Sequence, residues 1–312
     1  MTRRERFRRA LTGEAVDRPP LALWHHFRPD GSPAALAAAT LEFFGGFDFD
    51  LHKVMPDLPY PAPDRLPLAS GEDWAALPRL GADRQAPLGG MPEAVRLVRR
   101  AAPEEVVLAT VFSPLAIALR FSGGAGPLLE LLRREPAGLT RGLEVIAENT
   151  ATLCRALLGA GADGVFFATA GQGDGMLPDD AYRVLGRPYD LGVLAACGAG
   201  WCNVVHMHAQ SALRWRLAAD YPAQILSWSD QGTGVPLAEV AAALPDRAVM
   251  GGIAENGPVV AGSEEALLEE MRAAVRSTGG RRLILAGGCS VPDDIAPARL
   301  RLARRLADQL VV

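Results

Sequence analysis

Short apolar runs recur along the chain and alternate with stretches that have the spacing of amphipathic helices. Eight runs are predicted to be β-strands, at 21–24, 49–54, 105–111, 164–167, 203–206, 225–228, 248–252 and 283–286. Most are continuously apolar, which is typical of parallel strands that are covered on both faces. Helical patterns lie between them, at 33–44, 91–101, 128–160, 212–219, 237–244 and 263–277. This alternation predicts an α/β fold, a single (β/α)8 TIM barrel.

A doubly wound protein of two domains is the alternative architecture. No G-x-G-x-x-G sequence follows an early strand, as a dinucleotide-binding domain of that kind would require. No linker divides the chain, so we expect one domain over residues 1–312. Before the barrel, Thr2 to Glu5 reads as a capping box and Gly13 as a helix stop, which predicts an N-terminal helix. Segments 56–90 and 170–188 fit no barrel element, and we predict that they are loop excursions over the barrel mouth.

The composition indicates which class of protein this is and which partners it can bind. The chain has 312 residues, of which 49% are hydrophobic and 22% charged, as in ordinary globular proteins. A net charge of −4 offers no electrostatic basis for binding nucleic acid or an anionic membrane. No apolar stretch reaches the roughly 18 residues of a membrane span. The four cysteines have no paired spacing. We therefore expect a cytoplasmic protein with reduced thiols that acts on a small molecule.

Two histidines one residue apart, His206 and His208, follow the fifth apolar run, and Cys289 follows the eighth. Residues i and i+2 of a strand point the same way, so both imidazoles can face one point. With a thiolate from a second strand end, the donors form an N, N, S set that suits zinc. Three protein ligands and an open position are typical of a catalytic zinc site. The alternative is that His208 caps a helix and Cys289 is a small buried side chain.

Other polar residues also follow strands, where barrel enzymes place their chemistry. His25 and His26 follow the first strand, and one of them is a candidate for substrate binding or for a fourth metal ligand. Lys53, the only lysine, is a candidate for binding a substrate carboxylate. Asp230 or Glu255 is a candidate fourth ligand, or a partner that holds a histidine tautomer. We expect all five histidines to lie at the barrel mouth.

Three segments resemble the uroporphyrinogen decarboxylase superfamily, and the resemblance covers nearly the whole chain. They are the opening ERFRRALTGE with DRPP soon after it, GADG at the fourth strand, and GGCSVPDD after the eighth. The superfamily is a barrel superfamily that also contains zinc-dependent corrinoid:thiol methyltransferases. The resemblance therefore implies a TIM barrel and either decarboxylase or methyltransferase chemistry.

Details at the strand ends favour the methyltransferase branch. The decarboxylase has an arginine-rich segment after strand one, where this chain has Trp24-His-His-Phe-Arg28, and a late His-Gly where this chain has Gly288-Cys289. The methyltransferase pattern is His-x-Cys…Cys, with zinc bound by all three. His206 matches the histidine, His208 stands at the first cysteine position, and Cys289 matches the last cysteine. Imidazole in place of thiolate would make the zinc site one unit more positive.

We therefore expect a zinc-dependent methyltransferase-like enzyme that activates a thiol or small anionic acceptor. The chain has no corrinoid-binding D-x-H-x-x-G sequence, so any corrinoid donor would be carried by a partner protein. The alternative is a decarboxylase-like lyase or a metal-dependent hydrolase acting on a small carboxylate. Lys53 or Arg28 would then bind the carboxylate, and Glu255 or Asp230 would be the base. A binding protein without turnover is a third reading. A homodimer is compatible with the resemblance.

Overall fold

The computed structural model describes residues 1–27 and 30–310 of the chain. Eight parallel strands form one sheet in the order β1-β8-β7-β6-β5-β4-β3-β2, which confirms the predicted (β/α)8 barrel. The strands are β1 (Leu21–Ala22), β2 (Leu51–Val54), β3 (Val106–Phe112), β4 (Gly164–Thr169), β5 (Val204–Met207), β6 (Ile225–Ser227), β7 (Ala248–Ile253) and β8 (Leu283–Gly287).

The helices lie before the barrel, between its strands and after them. They are α1 (Arg3–Thr12), α2 (Pro33–Phe47), α3 (Gly71–Ala75), α4 (Gly90–Ala101), α5 (Pro114–Ser122), α6 (Ala125–Arg134), α7 (Pro136–Gly159), α8 (Asp179–Leu185), α9 (Arg187–Ala196), α10 (Leu237–Ala243), α11 (Pro258–Ala261), α12 (Glu264–Thr278) and α13 (Pro297–Ala307). The predicted N-terminal helix is confirmed as α1. The Thr2 hydroxyl caps its start, and Gly13 ends it in the left-handed conformation.

A buried carboxylate joins the barrel between β1 and β2, where the described strands share no ladder. The Asp50 N–H donates to the Leu21 carbonyl at 2.9 Å, and the Leu21 N–H donates to the Asp50 carboxylate at 2.8 Å. Arg6 and Arg18 both pair with this fully buried side chain, at 2.8 and 2.6 Å. Because a buried charge is tolerated only when it is paired, these arginines tie α1 and the start of β1 to the barrel.

Three predictions of secondary structure were wrong. The single helix expected over 128–160 is two helices, because Pro136 lacks the N–H needed to continue α6. The stretch 212–219 contains only a three-residue 3₁₀ turn, Trp215–Leu217. Arg214 anchors it to the loop after β4 by donating to the carbonyls of Gly171 and Leu177, at 2.9 and 2.8 Å. The loop expected over 170–188 contains α8.

Strand register decides which side chains enter the barrel. Lys53 is paired with Leu108, two residues before Thr110, and Thr110 is paired with Phe166. Two residues beyond Phe166, Ala168 is paired with His206, which is itself paired with Ser227. Since alternate residues of a strand share a face, the side chains of Lys53, Thr110, Phe166, His206 and Ser227 all belong to the interior face.

One histidine departs from the expectation that all five face the mouth. His52 lies on the opposite face of β2 from Lys53 and packs on Phe44, with 5.7 Å between ring centroids. Burial, with Arg3 and Arg99 nearby, lowers the pKa of His52 to about 4, so the imidazole is neutral near pH 7. His52 is therefore a packing residue between the barrel wall and α2.

Helices α5 to α8 build a second apolar cluster beside the barrel core, with the buried Trp74 of α3 among them.

Among the described residues no single helix is both long and apolar enough to cross a membrane, and only the bent pair α5–α6 meets that test jointly.

Candidate metal centre

His206, His208 and Cys289 meet at the carboxyl end of the barrel, as the sequence predicts for strand ends. One ligand atom from each lies within 4.8 Å of those of the other two. His206 is buried, Cys289 is half-buried and His208 is exposed. All three line a cavity of about 180 Å³ in the barrel mouth. The three donors thus face one point that small molecules can reach.

The end of β5 holds the two histidines. The Nδ1 atom of His206 lies 3.2 Å from the Ser227 hydroxyl, which leaves Nε2 available for a metal. Its ring stacks on Phe166 at 5.1 Å between centroids. The backbone N–H of His208 donates to the Thr169 carbonyl at 3.2 Å, which fixes the chain just past the strand. Neighbouring strands therefore orient the His206 ring and fix the backbone of His208.

Glycines position the third donor. A Cβ atom on Gly288 would lie 2.4 Å from the Cα of Ser229 and 2.8 Å from a Glu255 carboxylate oxygen, so no other residue fits there. The Gly288 N–H donates to the Ile253 carbonyl at 3.1 Å. This close approach to the β6 and β7 loops brings Cys289 towards the histidines.

The electrostatics of the triad favour its metal-binding forms. Burial lowers the pKa of His206, against the opposing effect of Cys289. Burial disfavours the thiolate of Cys289, but the hydrogen bond and charge of His206 outweigh it and lower the pKa of the thiol. The sulfur also lies 3.8 Å from Nδ1 of His208. Because metals bind neutral imidazole and thiolate, this N, N, S donor set fits zinc.

Lys53 enters the same cavity from β2 and is almost fully buried. Its Nζ lies 4.2 Å from the Phe166 ring and 4.9 Å from the Trp24 ring, with the Met55 sulfur at 3.1 Å. Burial lowers the pKa of Lys53 to about 7, although Cys289 and Asp57 oppose that shift. Lys53 forms no salt bridge with any residue that the structure describes. A buried amine without a salt-bridge partner is suited to an anionic ligand.

His26 borders the cavity from the other side, and its Nδ1 contacts the Asp57 carboxylate. The second oxygen of Asp57 accepts the Phe27 N–H at 2.8 Å. Burial acts against ionisation of Asp57, but these hydrogen bonds lower its pKa. Sequence reasoning missed Asp57, whose only signal is an acid in the proline-rich stretch directly after β2. The pair is a histidine oriented by a carboxylate, as in many acid–base sites.

The other candidate residues do not line the cavity. His25 packs on Phe43, and its Nδ1 donates to the His26 carbonyl at 2.7 Å. Asp230 is buried and accepts the Gly252 N–H at 2.9 Å. Glu255 accepts the Ser229 hydroxyl at 2.9 Å. Neither acid joins the donor group of the triad among the described residues. Arg28 lies outside the described residues.

A sequence profile of the uroporphyrinogen decarboxylase family (URO-D) matches residues 50–309. The chain belongs to the uroporphyrinogen decarboxylase family. No curated protein matches the sequence. Among solved structures, a methyltransferase from Methanosarcina mazei is similar over 99% of both chains, with 15% identity and a TM-score of 0.77. A B12-independent methionine synthase from Shewanella sp. W3-18-1, in complex with selenomethionine, is similar over 96% of this chain and 97% of its own, with 10% identity and a TM-score of 0.56.

In this member of the uroporphyrinogen decarboxylase family, a buried polar network supports β5, the strand that ends at the two histidines. The Thr169 hydroxyl donates to the His206 carbonyl at 3.1 Å, and the Gln172 amide links that hydroxyl, at 2.9 Å, to Tyr182, at 2.8 Å. Tyr182 and Tyr221 lie 2.7 Å apart, and Tyr221 donates to Asp190 at 3.0 Å. Burial raises the pKa of Asp190 to about 8. The network holds the end of β5 in place from α8 and α9.

Proposed function

We propose that the protein is a zinc-dependent methyltransferase that binds a thiol or other small anionic acceptor at His206, His208 and Cys289. The observation that carries the proposal is the convergence of two imidazoles and one thiol within 4.8 Å at the reachable end of the barrel. Zinc in such a site lowers the pKa of a bound thiol and holds it as the thiolate. Family membership and a fold shared with methyltransferases support the same chemistry.

In the proposed reaction, the acceptor sulfur attacks the methyl carbon of a donor above the mouth. A sulfur–carbon bond forms, the donor–carbon bond breaks, and the donor keeps that electron pair. The thiol proton leaves when the acceptor binds. A corrinoid carried by a partner protein is one candidate donor. The fold does not select it, because the Shewanella neighbour is B12-independent.

This chain's own residues would bind and orient the acceptor. The Lys53 ammonium would pair with the anionic group of the acceptor that is held at the triad, because Lys53 forms no salt bridge with a described residue. The Trp24 and Phe166 rings beside Nζ favour the cation by contact with their faces. An anion that binds here would raise the pKa of Lys53 and keep it charged.

Metal content of protein purified without added metal tests the proposal. We expect about one zinc per chain in the wild type and its loss in Cys289→Ala, because removal of a thiolate ligand opens the site. Cys202→Ala is the matched control, since that buried cysteine lies outside the triad and should leave the zinc bound. A wild type that takes up no zinc, even after reconstitution, would refute the site.

A decarboxylase-like lyase or a hydrolase of a small carboxylate is the second candidate. The pair of His26 and Asp57 favours it, because proton transfer needs an oriented histidine and methyl transfer to a thiolate does not. Under this alternative, His26→Gln lowers the turnover number by about 10²–10⁴-fold at saturating substrate. Under the methyltransferase proposal, the same variant retains most of its turnover with thiols.

A further inference from the structure

A second cavity adjoins the metal centre. It has a volume of about 330 Å³ and lies between the 56–90 segment and the helices α4, α5 and α7. Pro56, Thr110 and Phe112 border both this cavity and the smaller one that contains the triad. A molecule bound at the triad therefore has a neighbouring space into which it can extend.

The wall of the larger cavity is mostly apolar. Four prolines of the 56–90 segment contribute to it, and prolines offer no backbone N–H to a ligand. Phe112, at the end of β3, is 42% exposed although it is a large apolar side chain. Exposed aromatic surface at the junction of two cavities is suited to an apolar ligand group.

Three polar side chains of this wall have no hydrogen-bond partner among the described residues: Tyr60, Thr110 and Arg120. The buried Thr110 hydroxyl has no hydrogen-bond partner, and it borders both cavities. The Arg120 guanidinium of α5 forms no ion pair or side-chain hydrogen bond in the described part of the chain. Arg120 borders the larger cavity and not the smaller one, so it lies away from the triad. An arginine in this position is suited to a carboxylate, which it can bind through two parallel hydrogen bonds.

We propose that the acceptor is an elongated thiol acid: its sulfur binds at the triad, its hydrocarbon body fills the second cavity, and its carboxylate pairs with Arg120. This inference rests on the proposed function for the sulfur end alone. The hydrocarbon body and the carboxylate are inferred from the second cavity itself. Thr110 would contact the acceptor where it passes from one cavity to the other.

Calorimetric titration tests the proposal without turnover. The probes are ω-mercaptoalkanoic acids of three, six and eight carbons and octanoate, titrated into zinc-loaded protein. We expect affinity to rise about three- to fourfold per added methylene until the cavity is filled. Octanoate should bind too, because its tail and carboxylate need no metal. Arg120→Gln should weaken the eight-carbon thiol acid and octanoate about tenfold or more.

Arg100→Gln is the matched control, because Arg100 is an exposed arginine of α4 that borders neither cavity, and it should leave every affinity unchanged. Affinity that does not depend on chain length or on Arg120, with short thiols still binding, would overturn this inference and leave the proposed function standing. Octanoate binding without any thiol binding would instead refute the proposed function and leave the carboxylate site at Arg120 standing. Loss of the long acids in Lys53→Met but not in Arg120→Gln would also overturn the assignment of Arg120.

Discussion

Replacement of Lys53 by methionine should stabilise the metal-free protein near neutral pH. The side chain is 2% exposed, and its pKa falls from 10.5 to about 7 on folding. At about 1.4 kcal/mol per pKa unit, the buried cation costs on the order of 5 kcal/mol. The expected gain for Lys53→Met below pH 7 is therefore on the order of 5 kcal/mol.

The sign of the pH dependence follows from the lowered pKa of Lys53. Below pH 7 the lysine is protonated in both the folded and the unfolded state, so the folded state carries the whole penalty. Between pH 7 and 10.5 the folded state sheds its proton first, and the penalty shrinks as pH rises. Above 10.5 it vanishes. The gain in Lys53→Met should accordingly be largest at pH 6 and fall to about 1 kcal/mol near pH 9.5.

Urea and thermal unfolding of metal-free protein at pH 6 to 10 measure this difference. For 312 residues the unfolding entropy is about 0.7 kcal/mol/K, so the expected gain raises Tm by roughly 7 °C at pH 6. Lys53→Arg is the control, because guanidinium keeps its proton and should stay destabilising up to pH 10. The reasoning would be refuted by a methionine variant that is less stable than the wild type at pH 6, or by a gain in unfolding free energy that does not change with pH.

Two further substitutions test the site and its support. Ser227→Ala should weaken zinc binding by about 10–100-fold, because the hydroxyl beside Nδ1 orients His206, and chelator competition measures this; unchanged affinity would contradict the role of Ser227. Gly138→Ala should cost about 1–3 kcal/mol of unfolding free energy in urea titrations, because its Cβ would lie 2.2 Å from the Gly71 carbonyl oxygen. Gly159→Ala, in open space on the same helix, should instead stabilise by up to about 1 kcal/mol, and equal effects would contradict the contact argument.

The barrel could be predicted from the sequence because its strands are buried on both faces and so are apolar runs. The prediction failed at 128–160 because of a proline within the helical pattern, and at 212–219 because long-range contacts overrode the local pattern. Residues 212–219 have helical spacing, but the Arg214 side chain binds carbonyls of the β4 loop, and that loop lies about forty residues earlier. Helical propensity is worth tenths of a kcal/mol per residue, so several hydrogen bonds to a neighbouring loop can override it.

The convergence of His206, His208 and Cys289 could be predicted from the sequence for a geometric reason. Residues i and i+2 on one strand share a face whatever the rest of the chain does, so His206 and His208 needed only a correct strand end. Cys289 needed one more fact, that all strand ends of a parallel barrel meet at one mouth.

No comparable rule predicts from the sequence that Asp57 lies beside His26. Its contact with His26 joins two loops thirty-one residues apart, and its position depends on how the 56–90 segment folds back over the mouth. Asp230 and Glu255 are kept from the cavity by contacts of their own. Both follow strands, as the rule requires, but their carboxylates bind the Gly252 N–H and the Ser229 hydroxyl. Strand position alone indicates which residues reach the mouth, whereas the loops decide which of them face the substrate.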